Sequence, residues 1–261
     1  MIGDNFPQEH VMGLFGLGHI LLILFYIVGA AVLAINERRH SKQYIENVII
    51  ICGAYLIITE IIKILVAYFN GGGIASMFPL PYCGLFIPAI ILAMFKNPKV
   101  KHIGYTFIAI GGIVGGIFYI FVPNGSIDHY PIYHVKAIHG ISYHFIMAYL
   151  GLTLLTTGLY KIKAKNFIYY LSFMAVATIV ALINNHFFGA HSLFLNTGSG
   201  IKFLQNICDK VPLIYALGVF LAETFLAYFG MLGIYYLLVK HIKLKKPSVV
   251  LNQETQTVEN V

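Results

Sequence analysis

The 261-residue chain is 59% hydrophobic and only 10% charged, with a mean hydropathy of +0.80, whereas soluble domains carry roughly 25% charged residues. That balance excludes a water-soluble globular protein. The formal charge of +7 does not mark a nucleic-acid binder either, because Lys and Arg sit in short blocks between apolar runs rather than along one face.

The ten residues before the first apolar run carry Asp4 and Glu9 but no Lys or Arg. With neither a basic leader nor a small-residue cleavage site, no secretory signal peptide is expected. Seven apolar runs follow, at about 11–35, 45–69, 76–95, 103–122, 134–160, 167–189 and 211–239, each near the length a helix needs to cross the hydrocarbon core. Alternate connections carry the positive charge: Arg38, Arg39 and Lys42; Lys96, Lys99 and Lys101; Lys161, Lys163 and Lys165; then Lys240, Lys243, Lys245 and Lys246. The intervening ones hold Lys136, Lys202 and Lys210. The positive-inside rule therefore predicts an all-α membrane protein, a bundle of about seven transmembrane helices in the cell membrane, with its N-terminus outside and its C-terminus cytoplasmic. Residues 1–246 read as one transmembrane domain and 247–261 as a disordered cytoplasmic tail, because the stretch Asn252 to Thr257 has too little apolar content to pack. Gly71-Gly72-Gly73 reads as an outer turn, and the pairs Gly111-Gly112 and Gly115-Gly116 place small residues at four-residue spacing, which lets membrane helices approach closely.

Function is sought in side chains that the bilayer should exclude, since an ionisable group in a span costs several kcal/mol unless it meets a partner or a wet cavity. His19, Glu60, Lys63, His139, His144, Asn184, Asn185, His186 and Glu223 fall within the runs, and Cys83 follows Pro79-Leu80-Pro81. At 1.5 Å of rise per residue, most of them lie about 5–15 Å below the outer surface. Eight of the eleven histidines are also on that side. The asymmetry predicts one polar cavity in the outer half.

Each residue has a structural and a functional reading. Cys83 is either a small packing residue or a nucleophile whose proton a histidine takes, and His139 lies at matching depth. His139 and Tyr143, at i and i+4, share a helix face, whereas His139 and His144, five apart, do not. Glu60 and Lys63, at i and i+3, form an ion pair or orient substrate. Asn184 and Asn185 cap the sixth helix, bind a polar head group or donate to an oxyanion. Cys52, Cys83 and Cys208 form no CxxC pair and are odd in number, so neither a disulfide framework nor a thiolate zinc site is indicated. His129, His134, His139 and His144 recur at steps of five, a poor helical spacing for shared ligands, so no metal or other cofactor is expected.

The segments Phe15 to Leu22, Pro79-Leu80-Pro81-Tyr82-Cys83, His139-Gly140, and Asn185 to Leu195 followed by Pro212 resemble, in order and spacing, the YwaF-like integral membrane proteins of low-GC bacteria. That family is distantly similar to a eukaryotic transmembrane acyltransferase of ether phospholipids and to the androgen-induced hydrolases of fatty-acid esters of hydroxy fatty acids. The resemblance implies a Cys nucleophile at Cys83 and a membrane His as base at His139, with His144 second. One departure stands out: Gly189-Ala190-His191-Ser192 replaces the family's Gly-x-Asn-Tyr. The expectation is a lipid acyltransferase or acyl-ester hydrolase with catalytic Cys83 and His139. His19, Glu60, Tyr143, His144, Asn184 and Asn185 would contact a membrane lipid or other acyl substrate. The alternatives are a non-enzymatic transporter or a protein that binds a small ligand or lipid, and a structural subunit whose polar groups only join helices.

Overall fold

A computed structural model describes residues 11–69, 80–123, 126–198 and 201–241, with backbone alone for 239–241. The described residues form helices and no strand. In chain order these are α1 (Leu17–Asn36), α2 (Lys42–Phe69), α3 (Phe86–Ala93, entered through a 3-10 turn Tyr82–Leu85), α4 (Pro98–Phe121), α5 (Val135–Thr156), α6 (Phe167–Phe188), α7 (Lys202–Lys210), α8 (Pro212–Leu221) and α9 (Ala227–His241). A π turn, Ala222–Leu226, joins α8 to α9 into one long element.

Among the described residues, six elements are long and apolar enough to cross a membrane: Leu17–Arg39, Lys42–Phe69, Pro98–Phe121, Val135–Thr156, Ala164–Phe188 and Pro212–Leu238. The third apolar run is different: among its described residues, 80–95, the helical part is the short stretch Tyr82–Ala93. Pro88 supplies the reason. It has no N–H to donate to the carbonyl of Gly84, and the chain ahead of it winds as a tighter 3-10 turn. The Gly71–Gly73 turn, the beginning of the third run, the lysines beyond 241 and the polar tail lie outside the described residues.

Local chemistry sets the other helix ends. Asn97 caps α4 by accepting from the N–H groups of Lys99 (2.9 Å) and Val100 (3.3 Å), with Pro98 in the first turn. His134 caps α5 through Lys136 N–H. α6 stops at Gly189, whose φ of +63° closes the helix in the left-handed conformation.

α4 is the most deeply buried span and packs chiefly against α5 and α3. The paired glycines explain the closeness. A Cβ on Gly116 would stand 2.7 Å from the amide nitrogen of Ala148 and from the carbonyl of His144, and one on Gly112 would stand 2.7 Å from the carbonyl of Met147. α4 and α5 thus touch backbone to backbone. Large apolar side chains such as Phe25, Ile51, Ile61, Val176 and Leu213 remain exposed on the outside of the bundle, as lipid-facing residues of spanning helices do.

Contacts between helices fix their relative directions. Thr156 reaches the carbonyl of Ala34 (2.8 Å), Glu46 meets Lys101 (3.0 Å), and His102 packs on Tyr160 and Tyr169. These gather the loops bearing Arg38, Arg39, Lys42, Lys99, Lys101, Lys161, Lys163 and Lys165 at one end, here called the basic end. His19 meets Ile120, and Glu60 meets His139, toward the other.

Candidate intramembrane site

The side chains gathered toward the end opposite the basic loops come mainly from α2, α5 and the turn before α3. Glu60 on α2 binds two cations or cation equivalents: Oε1 lies 2.6 Å from Lys63 Nζ and Oε2 lies 3.1 Å from His139 Nε2. A carboxylate only accepts, so a neutral His139 ring in this contact carries its proton on Nε2 and its lone pair on Nδ1. Nδ1 is buried and has no hydrogen-bond partner. The contact between α2 and α5 is extended by Tyr55, whose hydroxyl donates to Ser142 (3.0 Å) while Ser142 donates to the His139 carbonyl (3.3 Å).

One turn after His139, the buried Tyr143 packs its ring 5.3 Å from the imidazole and donates its hydroxyl to the carbonyl of Cys83 (3.2 Å). Cys83 is a half-buried free thiol within electrostatic reach of Glu60 and Lys63. It is the second residue of the 3-10 turn into α3, and the next amide, Gly84 N–H, is bonded to the Pro81 carbonyl at 2.9 Å.

Two networks hold these groups. Tyr82, beside Cys83, donates to Tyr170 (2.6 Å), since the Tyr170 proton is directed to the carbonyl of Glu223 (3.2 Å). That carbonyl lies in the π turn of the last span, where the extra residue disrupts the regular backbone ladder. On the other flank, His144 donates Nδ1–H to the Gly140 carbonyl (2.8 Å) and stacks flat on Tyr119, with centroids 3.8 Å apart. Tyr119 itself lies within electrostatic reach of Cys83.

The residues singled out in the sequence divide accordingly. Cys83, His139, Glu60, Lys63 and Tyr143 come together, and His144 borders them. His19 does something else: its Nδ1 accepts from Phe15 N–H and its Nε2 donates to the Ile120 carbonyl, both at 2.9 Å, so this fully buried ring ties α1 to the end of α4. Asn184 and Asn185 turn to Ser192 in the loop beyond α6, through bonds of 2.7 Å to its hydroxyl, 3.2 Å to its carbonyl and 2.7 Å from its N–H. His186 is exposed, and Glu223 enters the tyrosine network through its backbone carbonyl, while its carboxyl Oε2 is buried without a hydrogen-bond partner. Among the described residues, no three His, Cys, Asp or Glu side chains gather as a metal-binding set.

Tyr119 and Tyr170 carry no signal in the sequence, and Tyr82 and Ser192 stand there only as parts of motifs. Nothing local distinguishes them from ordinary aromatic or loop residues, because their partners are 7 to 88 positions away. At the basic end, Glu37 is buried against Tyr149, whose hydroxyl donates to it at 2.6 Å, although the sequence places Glu37 in a loop.

Helices of membrane-spanning length around a buried polar cluster define a polytopic integral membrane protein. Residues 14–235 match the TMEM164 family, and the chain belongs to that family. No curated protein and no solved structure matches it.

Proposed function

We propose that the protein is a membrane enzyme that moves an acyl group from a lipid ester, with Cys83 as nucleophile and His139 as general base. The observation that carries this reading is the carboxylate-oriented imidazole. Glu60 holds the proton on Nε2, so Nδ1 is the basic nitrogen, on a helix whose next turn grips Cys83 through Tyr143. Resemblance to the YwaF-like proteins and their acyl-transferring relatives points the same way.

In the proposed reaction, His139 Nδ1 takes the thiol proton as the Cys83 sulfur bonds to the ester carbonyl carbon. The tetrahedral oxyanion is met by the amide N–H of Cys83 itself. Collapse breaks the bond to the alkoxide, which leaves with the proton from His139. Water or a second lipid alcohol then attacks the thioester, His139 takes its proton, and that proton returns to the sulfur. Substrate enters sideways from the bilayer: Glu60 and Lys63 are only half-buried, and Ile61 and Ile62 beside them face lipid. In the orientation expected from the basic loops, this is the outer half of the cell membrane. Because Asn184 and Asn185 are engaged with Ser192, the oxyanion role considered for them passes to the Cys83 amide.

The test is covalent labelling of the membrane-embedded protein with an alkynyl acyl thioester probe. Cys83→Ala abolishes labelling, His139→Ala slows it by about 10²–10⁴-fold, and Cys52→Ala and Cys208→Ala leave it unchanged. Undiminished labelling in Cys83→Ala overturns the covalent mechanism.

A further inference from the structure

The loop that follows α6 adopts a conformation its sequence does not favour. After Gly189, residues Ser192–Phe194 form a 3-10 turn in which Leu193 (φ +51°) and Phe194 (φ +53°) both hold positive φ. Bulky residues rarely occupy that region, and they stay there only when their surroundings over-determine the backbone. Here the constraints come from α6. Asn185 accepts from Ser192 N–H (2.7 Å) and donates back to its carbonyl (3.2 Å), and Asn184 donates to the Ser192 hydroxyl (2.7 Å). Asn196 closes the loop on the Ala190 carbonyl at 3.0 Å, and the Leu193 side chain is wholly buried in the core.

The outcome of this arrangement is a single long-range bond: Leu193 N–H donates to the carbonyl of Leu80 at 2.9 Å. Leu80 stands three residues ahead of Cys83. Between them, Pro81 caps the turn with no side-chain hydrogen bond and has no N–H of its own. The backbone on the upstream side of the thiol is therefore held from outside, by the loop.

We propose that Asn184, Asn185 and Ser192 are positioning residues: they lock the loop 190–195 as a strap that, through Leu193 and Leu80, sets where the Cys83 sulfur stands relative to His139. This rests on the proposed function, and it gives the two asparagines a part in the reaction without contact with substrate. A displacement near 1 Å of a reacting group costs roughly 10²-fold in rate, so loosening the strap acts on turnover more than on substrate binding.

The experiment uses full-length protein in membranes with Cys52→Ala and Cys208→Ala, which leaves Cys83 as the sole thiol. Its alkylation by N-ethylmaleimide is followed as a function of pH, beside acyl-probe kinetics, at temperatures below the measured Tm of each variant. Asn185→Leu is expected to shift the pH profile of alkylation and to lower kcat at least about tenfold with KM little changed. Asn185→Asp, which keeps the acceptor for Ser192 N–H, restores most of both. Ser192→Ala, which removes only the hydroxyl, shifts both in the same direction by a smaller factor and serves if Asn185→Leu does not accumulate. Profiles and kcat identical to the parent in whichever of Asn185→Leu and Ser192→Ala is measured overturn the strap. The two readings separate cleanly: acyl labelling that survives Cys83→Ala removes the enzyme, whereas an alkylation profile that still depends on Asn185 keeps the strap.

Discussion

Glu60 faces Lys63 and His139 at once, and this double engagement separates its two contributions. As the partner of Lys63 it is a structural anion; as the acceptor for Nε2–H it decides which nitrogen of His139 is basic. Glu60→Gln keeps the shape and removes the charge, leaving Lys63 without its anion and the imidazole free to take either tautomer. Acyl labelling is expected to fall by about 10²-fold or more, and the thermal midpoint to drop by the equivalent of about 1–3 kcal/mol for the orphaned cation. Adding Lys63→Met restores the midpoint but not the labelling; recovery of both would show that Glu60 is purely structural. At this scale the sequence is informative about depth and uninformative about partners. A polar residue in an apolar run announces that something must satisfy it, which singles out Cys83, His139 and Glu60. His19 gives the same signal, yet it is satisfied by the backbone at Phe15 and Ile120. Whether the partner is protein or ligand is settled by packing between helices, which no local spacing encodes.

Between helices, the seam of α4 and α5 is where small residues matter most, because His139, Tyr143 and His144 all ride on α5. Tyr26 from α1 donates to the Gly116 carbonyl at 2.8 Å in the same seam, so three helices register at one glycine. A methyl on Gly116 meets backbone atoms at 2.7 Å that cannot swing aside. Gly116→Ala is accordingly expected to destabilise by about 1–3 kcal/mol, read as a lower Tm in detergent. Gly218→Ala is the control: its Cβ meets nothing within 4 Å, and its Tm holds or rises slightly, as the intrinsic preference of a helix for alanine implies. An unchanged Tm in Gly116→Ala would mean the helices can part without cost. The four-residue glycine spacing announces this seam in the sequence. The length of the third element is not announced in the same way, since an apolar run shows what a segment is soluble in and not how much of it is helical. Only Pro81 and Pro88 hint at the short helix, and the same prolines leave its first turn dependent on Tyr143, Tyr82 and Leu193.

Across the whole molecule, the basic loops and the buried polar cluster lie toward opposite ends, and on the proposed reading that separation sets which leaflet supplies the substrate. The loops bearing Arg38, Arg39 and Lys42, then Lys99 and Lys101, then Lys161, Lys163 and Lys165 converge at one end, while Glu60, His139 and Cys83 lie toward the other. Positive loops are retained on the cytoplasmic side during insertion, and the bias is strongest for short loops such as these. In a background with Cys52, Cys83 and Cys208 replaced by alanine, single cysteines at exposed positions in or beside the connections between spans report the sides directly. His129→Cys and Asn206→Cys are expected to react with a membrane-impermeant maleimide added to intact cells. Lys99→Cys and Lys165→Cys should react only after permeabilisation. All four positions are exposed, so a difference in labelling reflects sidedness rather than burial. The opposite pattern would put Cys83 in the inner half, where its acyl donor would come from the cytoplasmic leaflet. The strap and the Glu60–His139 pair would be unaffected by that reversal, because their geometry belongs to the bundle and not to its orientation.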